Sequence, residues 1–217
     1  MARTRFLTPE LITRKALEVG DRGGAESMTM RRIAAELGCD PMALYRHFAN
    51  RDALLDAVAD LAVAEVRDPD PGLPWDERVT ATADALREAA LSHPGATAHL
   101  AARPPMGEHG RRIAGSVLAA LQEGGLPPAT AVRCFQTLVA YLASSLAMAV
   151  RAGERDRRWE QVRDMVNELP AAAAVGEELF TVGSAEQFRF GLRLLMAGIR
   201  EEAAAHPPGR PSGTTGT

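Results

Sequence analysis

The sequence TMRRIAAELGCDPMALYRHFANRDALLDAV, residues 29–58, decides the fold of this chain. It predicts two short helices joined by a tight turn and followed at once by a third, longer helix. Thr29 and Asp40 are good N-cap residues, and Pro41 suits the first position of a helix, where its missing N–H costs nothing. Gly38 lies where the first helix must end in a left-handed conformation, which glycine adopts most cheaply. This arrangement is typical of a helix-turn-helix, whose second helix enters the major groove of DNA.

Composition extends the helical prediction to the whole chain. The 217 residues are rich in alanine and leucine and only 5% aromatic, and β-branched runs bounded by turns are absent. The formal net charge of -3 is unevenly distributed, because residues 1–51 carry nine Arg or Lys against six Asp or Glu. The remainder is therefore acidic. A basic N-terminal end that coincides with a helix-turn-helix is typical of a modular DNA-binding protein.

The predicted fold is all-α, with a three-helix helix-turn-helix head and a larger helical C-terminal domain. We assign the head to residues 1–52 and the larger helical domain to residues 53–205. Residues 206–217, rich in Pro and Gly, are expected to be a disordered tail. A helix over residues 50–67 should link the two domains, and the proline-rich break at residues 68–74 should follow it.

The C-terminal domain divides into helices at its prolines and glycines. Helices are predicted at Trp75 to about Ser92, Thr97–Ala102, about Glu108–Glu123, about Pro128–Ala152, a charged segment before Pro170, and about Ala185–Ala204, with a mobile loop over 171–180. The last helix carries a predicted buried stripe of Phe188, Leu192, Leu195 and Ile199. Both it and the helix before the charged segment contain small residues that favour close helix packing. A homodimer through these two helices is the expectation, and a monomer is the alternative.

The run LYRHFANRDALLDAV, residues 44–58, resembles the signature of the tetracycline-repressor family of bacterial transcription regulators. A structural helical hairpin without a DNA role is the alternative. The resemblance implies a dimer that binds palindromic double-stranded operator DNA through two recognition helices about 34–36 Å apart. It also implies that the helix over residues 50–67 tilts as a rigid rod when an effector displaces its end.

Family positions also suggest the DNA contacts. Tyr45 and His47 are expected to contact phosphates, while Met42, Ala43 and Arg46 should lie closest to base edges. Arg46 is the best candidate for reading guanine, which arginine does through O6 and N7. The predicted DNA-binding residues are Thr29, Arg31, Arg32, Asp40, Pro41, Met42, Ala43, Tyr45, Arg46, His47 and Arg51.

The segment SHPGATAHLAARP, residues 92–104, is similar to the segment that lines the drug pocket in the tetracycline-repressor branch of the family. The predicted ligand-binding residues are Arg67, Thr82, Leu86, His99, Ala102, Met106, Phe135, Leu138 and Met148. His99 matches a metal-ligating histidine, although a helix-end or surface position is its alternative. Met148 falls where the branch has an acidic residue that helps to bind magnesium. Because magnesium prefers oxygen ligands, we expect a small, largely apolar effector rather than a tetracycline–magnesium chelate.

Other classes of protein find little support in the sequence. No nucleophile elbow, paired-carboxylate motif, phosphate-binding glycine loop or metal-ligand spacing is present, so we expect no enzyme activity, cofactor or metal. Cys39 and Cys134 are predicted to be small buried hydrophobes. The absence of a signal peptide or of an apolar run of about 18–20 residues favours a soluble, cytoplasmic protein with no membrane partner.

The expected function is that of a ligand-responsive transcriptional regulator, most simply a repressor. An effector-independent DNA-binding regulator or an activator is the main alternative, because a pocket cannot be seen in one sequence. A helical enzyme is a remote alternative. The sequence leaves the operator, the regulated genes and the effector open.

Overall fold

The computed structural model describes residues 7–153, 157–168 and 182–206, and this part of the chain is all helical, as predicted. The elements in chain order are α1 (Pro9–Gly23), a 3₁₀ turn (Ala25–Ser27), α2 (Met30–Leu37), α3 (Pro41–Leu44), α4 (Arg51–Ala62), α5 (Trp75–Ser92), α6 (Pro94–Ala102), α7 (Glu108–Glu123), α8 (Pro128–Gly153), α9 (Arg157–Asn167) and α10 (Ala185–Ala204). The predicted loop over 171–180 and tail residues 207–217 lie outside the described residues.

The helix-turn-helix has the caps that its sequence predicts. The Thr29 hydroxyl accepts the backbone N–H of Arg32 at 3.2 Å, and the Asp40 carboxylate accepts that of Met42 at 2.7 Å. Gly38 ends α2 in the left-handed region, with φ of 68°. These contacts satisfy backbone groups that a helix end leaves free, so the turn between α2 and α3 is set locally.

The prediction that the linking helix reaches residue 67 is wrong. Helix α4 ends at Ala62 rather than near Arg67. The backbone N–H groups of Val63, Ala64 and Val66 bond three residues back, to Asp60, Leu61 and Val63, instead of four. That pattern belongs to the tighter 3₁₀ turn, which ends the α-helix before the proline-rich segment begins.

The boundaries of α5 and α7 agree with the prediction, whereas α6 begins earlier. Its first residue is Pro94, not Thr97. Proline lacks an N–H but is tolerated at the first position of a helix, so Pro94 starts a helix where the sequence was interpreted as a break. The Thr97 hydroxyl bonds the carbonyls of Ala90 and His93 at 2.7 and 2.9 Å, which joins the end of α5 to α6.

The buried stripe of α10 differs from the prediction by one residue. Phe188, Leu192 and Ile199 are buried, but Leu195 is only half-buried and Met196 takes its place in the core. A line through Leu195 and a line through Met196 both fit a helix of 3.6 residues per turn, so periodicity leaves the choice open. The packing of α10 against the core selects Met196. Leu195 lies at the edge of this line.

Two hydrophobic clusters form the core. One unites the head with α4, α6 and Leu146 of α8, and the other unites α5, α7, α8 and α10. The backbones of Gly20 on α1 and Gly95 on α6 approach so closely that a Cβ atom at Gly95 would overlap Gly20. The head therefore packs directly on α6, and residues on both sides of the proposed 1–52/53–205 division share one cluster.

Helix α8 is the most apolar helix of the fold. By length and composition Pro128–Ala152 could cross a membrane, which the sequence analysis did not expect. A core helix of a globular protein meets the same criteria. Here Leu138 and Leu146 are buried in the two clusters, and α8 packs against α6 and α7. This packing accounts for part of its apolar character, since 28% of the apolar stretch is buried within the protomer.

The two cysteines are free and half-buried rather than buried. Cys39 packs at the edge of the first cluster and Cys134 at the edge of the second. Burial raises the pKa of both thiols, with smaller contributions from the carboxylates of Asp40 and Glu202 respectively. Both are therefore protonated at neutral pH.

Candidate functional site

The first candidate site is the outer surface of α3 and of the turn that follows it. Leu44 and Phe48 are buried and anchor this segment to the head. Four predicted DNA-binding residues are exposed on the other side: Met42, Tyr45, Arg46 and His47. Met42 is 67% exposed, so its side chain is accessible on this surface beside Arg46 and His47.

The start of α2 adds basic side chains to this surface. Thr29, Arg31 and Arg32 are all exposed. Among the described residues, neither these two arginines nor Arg46 forms an ion pair with a carboxylate. Their positive charges are therefore available to phosphates, which supply most of the affinity of proteins for DNA.

Two residues of the predicted DNA-binding set have other partners. The Arg51 guanidinium donates to the carbonyl oxygens of Met28 and Ala25, at 2.9 and 3.3 Å. It therefore braces the start of α4 against the entry to α2. Its direct contact with DNA stays a prediction. The Asp40 carboxylate is occupied as the N-cap of α3.

The second candidate site is a cavity of about 560 Å³ between α5, α6, α7, α8 and α10. Its size is typical of small-molecule sites. Six of the predicted ligand-binding residues line it: Thr82, Leu86, Ala102, Met106, Phe135 and Leu138. Most of the remaining wall is aliphatic, so the cavity suits an apolar molecule.

The other three predicted ligand-binding residues lie outside the cavity. Arg67 is exposed beyond the end of α4, and Met148 is 42% exposed on α8. His99 turns away to α4, where its Nε2 lies 2.8 Å from Asp56 Oδ1. Asp56 also pairs with Arg103 at 3.2 Å. The histidine predicted to contact the ligand instead joins α6 to α4.

Part of the cavity wall was not predicted from the sequence. Tyr141 of α8 and Phe188 of α10 line it and stack with ring centroids 5.6 Å apart. The Tyr141 hydroxyl donates to the Phe188 carbonyl at 2.7 Å, and burial raises the pKa of Tyr141. The helical spacing of Tyr141 from Leu138, three residues, was the available signal.

The mouth of the cavity lies between the α6–α7 loop and the outer side of α8. The exposed lining residues are Ala102, Pro104, Met106, Arg111, Gln136 and Ala140. Met106 is 75% exposed. Arg111 Nη1 donates to the Met106 carbonyl at 2.8 Å, which holds the guanidinium beside the opening.

The cavity is connected to α4 through the start of α7. Asp60 is buried on α4 and accepts the backbone N–H groups of His109 and Gly110 at 3.2 and 2.9 Å. Gly110 itself lines the cavity, and so does Val63 at the end of α4. Arg112 adds a second link, because it bonds the Val66 carbonyl and, at 3.0 Å, the Asp68 carboxylate.

A buried arginine lies close to the aromatic wall. Arg87 is 8% exposed, its Nη2 donates to the Gly183 carbonyl at 2.7 Å, and its guanidinium carbon lies 5.2 Å from the Phe188 ring centre. Desolvation lowers its pKa, and the charge of Arg189 adds to that effect. Arg87 thus joins α5 to the start of α10 without lining the cavity.

The described residues contain no cluster of three His, Cys, Asp or Glu side chains suited to a metal ion.

Two family models match the chain. Residues 12–58 match the model of bacterial regulatory proteins of the tetR family, and residues 68–203 match the tetracyclin repressor-like C-terminal domain. The class A tetracycline repressor from transposon 1721 of Escherichia coli is 32% identical over 154 residues, which are 69% of this chain and 70% of that repressor.

Solved structures are similar over nearly the whole chain. ActR of Streptomyces coelicolor in complex with actinorhodin has a TM-score of 0.78 and 27% identity, covering 90% of this chain and 96% of ActR. BioQ with its double-stranded DNA operator has a TM-score of 0.67 and 28% identity, covering 90% of this chain and 99% of BioQ. This chain therefore belongs to the tetracycline-repressor family of transcriptional regulators.

Proposed function

We propose that this family member is a ligand-responsive repressor that binds palindromic operator DNA as a homodimer and is released by a small, largely apolar effector. The observation that carries the proposal is the apolar cavity of about 560 Å³, whose wall includes the end of α4. The ligand-bound ActR and the operator-bound BioQ support it by similarity. We expect the protein to act in the cytoplasm, where its operator lies.

Operator binding is assigned to the exposed surface of α3 and the start of α2. Met42, Ala43 and Arg46 are proposed to face base edges, with Tyr45 and His47 on phosphates. Arg31 and Arg32, together with Thr29 and Pro41 at the helix starts, complete the proposed surface. Sequence is read in the grooves, whereas phosphate contacts set the position of the protein on the duplex.

Dimerisation is assigned to the outer faces of α8 and α10. Phe190 and Leu194 of α10 are 54% and 62% exposed, and Val132 of α8 is 42% exposed. Ser144 on the exposed side of α8 is small enough for a second helix to approach closely. A second copy that covers these faces would bury the apolar side chains and place two recognition helices on one duplex.

Coupling between the sites is assigned to α4 and the start of α7. An effector in the cavity would contact Val63, which follows the end of α4, and Gly110, which belongs to the turn of α7 that Asp60 caps. Because the head packs on α4, a shift there changes the separation of the two recognition helices. A hundredfold loss of DNA affinity would require about 2.7 kcal/mol of coupling between effector and operator.

A magnesium chelate is not favoured as the effector. The cavity lining within the described residues contains neither histidine nor carboxylate, and His99 is engaged with Asp56. Magnesium prefers oxygen ligands in an octahedral arrangement, which these walls do not offer. The effector is therefore proposed to be an uncomplexed apolar molecule.

The test begins with selection of bound duplexes from a random DNA pool. An inverted repeat should be enriched, and apolar compounds that raise the melting temperature should weaken binding to that repeat in fluorescence anisotropy. Leu86→Trp, which fills the cavity, should abolish the compound effect and keep DNA binding. If no inverted repeat is enriched, the proposal fails; if compounds never affect DNA binding, the effector-independent alternative is favoured.

A further inference from the structure

The rim of the cavity carries one arginine, and no carboxylate lies among the described residues that line the cavity. Within the described residues, Arg111 is the one charged side chain among those that line the cavity. It is exposed at the first turn of α7 and forms no ion pair with any described carboxylate. Its hydrogen bond to the Met106 carbonyl, at 2.8 Å, holds the guanidinium at the mouth.

The interior of the cavity has little to offer a charged group. The Tyr141 hydroxyl already donates to the Phe188 carbonyl, and the Thr82 hydroxyl donates to the Arg78 carbonyl at 2.8 Å. Aliphatic side chains and aromatic rings form the rest of the wall. Because a buried charge without partners is strongly disfavoured, the charged end of any ligand must remain at the mouth.

The buried Arg87 is not an alternative anchor for that end. It is absent from the lining, and its Nη2 is directed to the Gly183 carbonyl. Gln136 is the other polar side chain exposed at the rim, and it supplies an amide without charge. The electrostatic preference of the mouth is therefore set by Arg111.

We propose that the effector is an amphipathic anion, with an apolar aromatic body inside the cavity and a carboxylate-like or sulfonate-like end held at the mouth by Arg111. The inference rests on the proposed effector role of the cavity and names the chemical class of its ligand. Arginine suits this task because its planar donors match the paired oxygens of such groups. Aromatic rings of the ligand can pack against Phe135, Tyr141 and Phe188.

Two fluorescent probes of nearly the same skeleton separate the contributions of the body and the charge. N-phenyl-1-naphthylamine is neutral, and 8-anilino-1-naphthalenesulfonate adds one anionic group. Their dissociation constants are measured by fluorescence titration of the full chain. The variants are Arg111→Gln, Arg111→Lys and the matched control Arg67→Gln, which removes an exposed arginine outside the cavity.

The sulfonate probe should bind about tenfold more weakly to Arg111→Gln, equivalent to ~1.4 kcal/mol. Arg111→Lys keeps the charge but loses the paired donors, so its affinity should lie between those of Arg111→Gln and the wild type. The neutral probe should change less than twofold in every arginine variant. Arg67→Gln should leave both probes unchanged. Raising the salt concentration should weaken only the sulfonate probe, because the charge at the rim is screened by ions.

Blocking the cavity separates failure of this inference from failure of the proposed function. Ala114→Trp should abolish binding of both probes, and Ala83→Trp serves the same purpose if the first variant does not fold. Neutral-probe binding that persists in a folded blocked variant would contradict the effector role of the cavity. If both probes bind in the cavity but the sulfonate probe binds Arg111→Gln as tightly as the wild type, only the anionic class of the ligand is overturned.

Discussion

The Asp60 carboxylate on α4 accepts the backbone N–H of Gly110 on α7 at 2.9 Å, and Gly110 lies in the wall of the cavity. The two residues are 50 positions apart, so this contact is tertiary. Asp60 acts as an N-cap for a helix in another part of the chain. A single buried carboxylate thereby connects the helix that supports the head with the helix that borders the cavity.

Removal of the Asp60 carboxylate should loosen the start of α7. In Asp60→Ala the N–H groups of His109 and Gly110 lose their acceptor, and loss of a helix cap costs about 0.5–2 kcal/mol. Urea unfolding should show that loss, and hydrogen exchange of the Gly110 amide should accelerate. Asp52→Ala, an exposed acid on the same helix, is the control. Unchanged exchange at Gly110 would contradict the cap.

Gly107 should not tolerate a methyl group. A Cβ atom there would overlap the Asp60 carboxylate, although the backbone φ of -74° suits any residue. Gly107→Ala should therefore destabilise the fold by about 1–3 kcal/mol. Gly115 lies inside α7, and a Cβ atom there would meet no atom within 4 Å, so Gly115→Ala should instead stabilise the fold by about 0.4–1 kcal/mol. Equal effects in thermal unfolding would show that Gly107 is not in close contact.

Arg46 should determine sequence preference in DNA binding. Arg46→Ala should lose about 1–3 kcal/mol on the selected operator and relax specificity at one base pair. Arg31→Ala should weaken binding to all sequences and reduce the salt dependence, as expected for a phosphate contact. Anisotropy titrations with operator variants make the comparison. Equal losses of Arg46→Ala on every duplex would reassign Arg46 to a phosphate.

Leu194 should be required for dimerisation. It is 62% exposed on α10, so Leu194→Asp should leave the protomer folded and yield monomers in analytical ultracentrifugation. Leu73→Asp, 37% exposed in the segment before α5, is the matched control and should remain dimeric. Leu146 is 4% exposed, and Leu146→Asp should unfold the protomer. A dimeric Leu194→Asp protein would exclude this face of α10.

The ion pair between Asp76 of α5 and Arg200 of α10, at 2.6 Å, should make stability sensitive to acid. Burial acts to raise the pKa of Asp76, but the Arg200 hydrogen bond and charge, with backbone N–H donors, outweigh it and lower the pKa. A lowered pKa stabilises the fold above the unfolded value near 3.9, and that stability is lost as pH falls through the folded value.

Asp76→Asn should accordingly reduce the free energy of unfolding at pH 7 by about 0.5–1 kcal/mol. Urea titrations at a series of pH values should show the wild type and the variant converging as pH falls below about 4. The exposed pair Arg22–Glu36, broken by Glu36→Gln, is the control and should have a smaller effect. A constant difference between Asp76→Asn and wild type from pH 7 to pH 3 would contradict the assignment.

The sequence alone determined the local architecture of the head. Thr29 and Asp40 accept backbone N–H groups within three residues, and Gly38 ends α2 through its own positive φ. These effects are local, so they can be predicted without knowledge of the tertiary structure. The all-α class and the limits of α5 and α7 followed from the same kind of short-range signal. The family resemblance extended this to an effector domain, and three of the residues that it implied, Thr82, Leu86 and Ala102, line the cavity.

Tertiary structure alone decided the features that depend on distant partners. Asp56 lies 43 residues from His99, and this contact turns the predicted ligand-binding histidine away from the cavity. Arg51 binds carbonyl oxygens more than 20 residues away, which no local pattern indicates. The choice of Met196 over Leu195 follows from the direction in which α10 meets the core. Such contacts are set by the packing of whole helices, since side-chain partners far apart in sequence are selected only when the core closes.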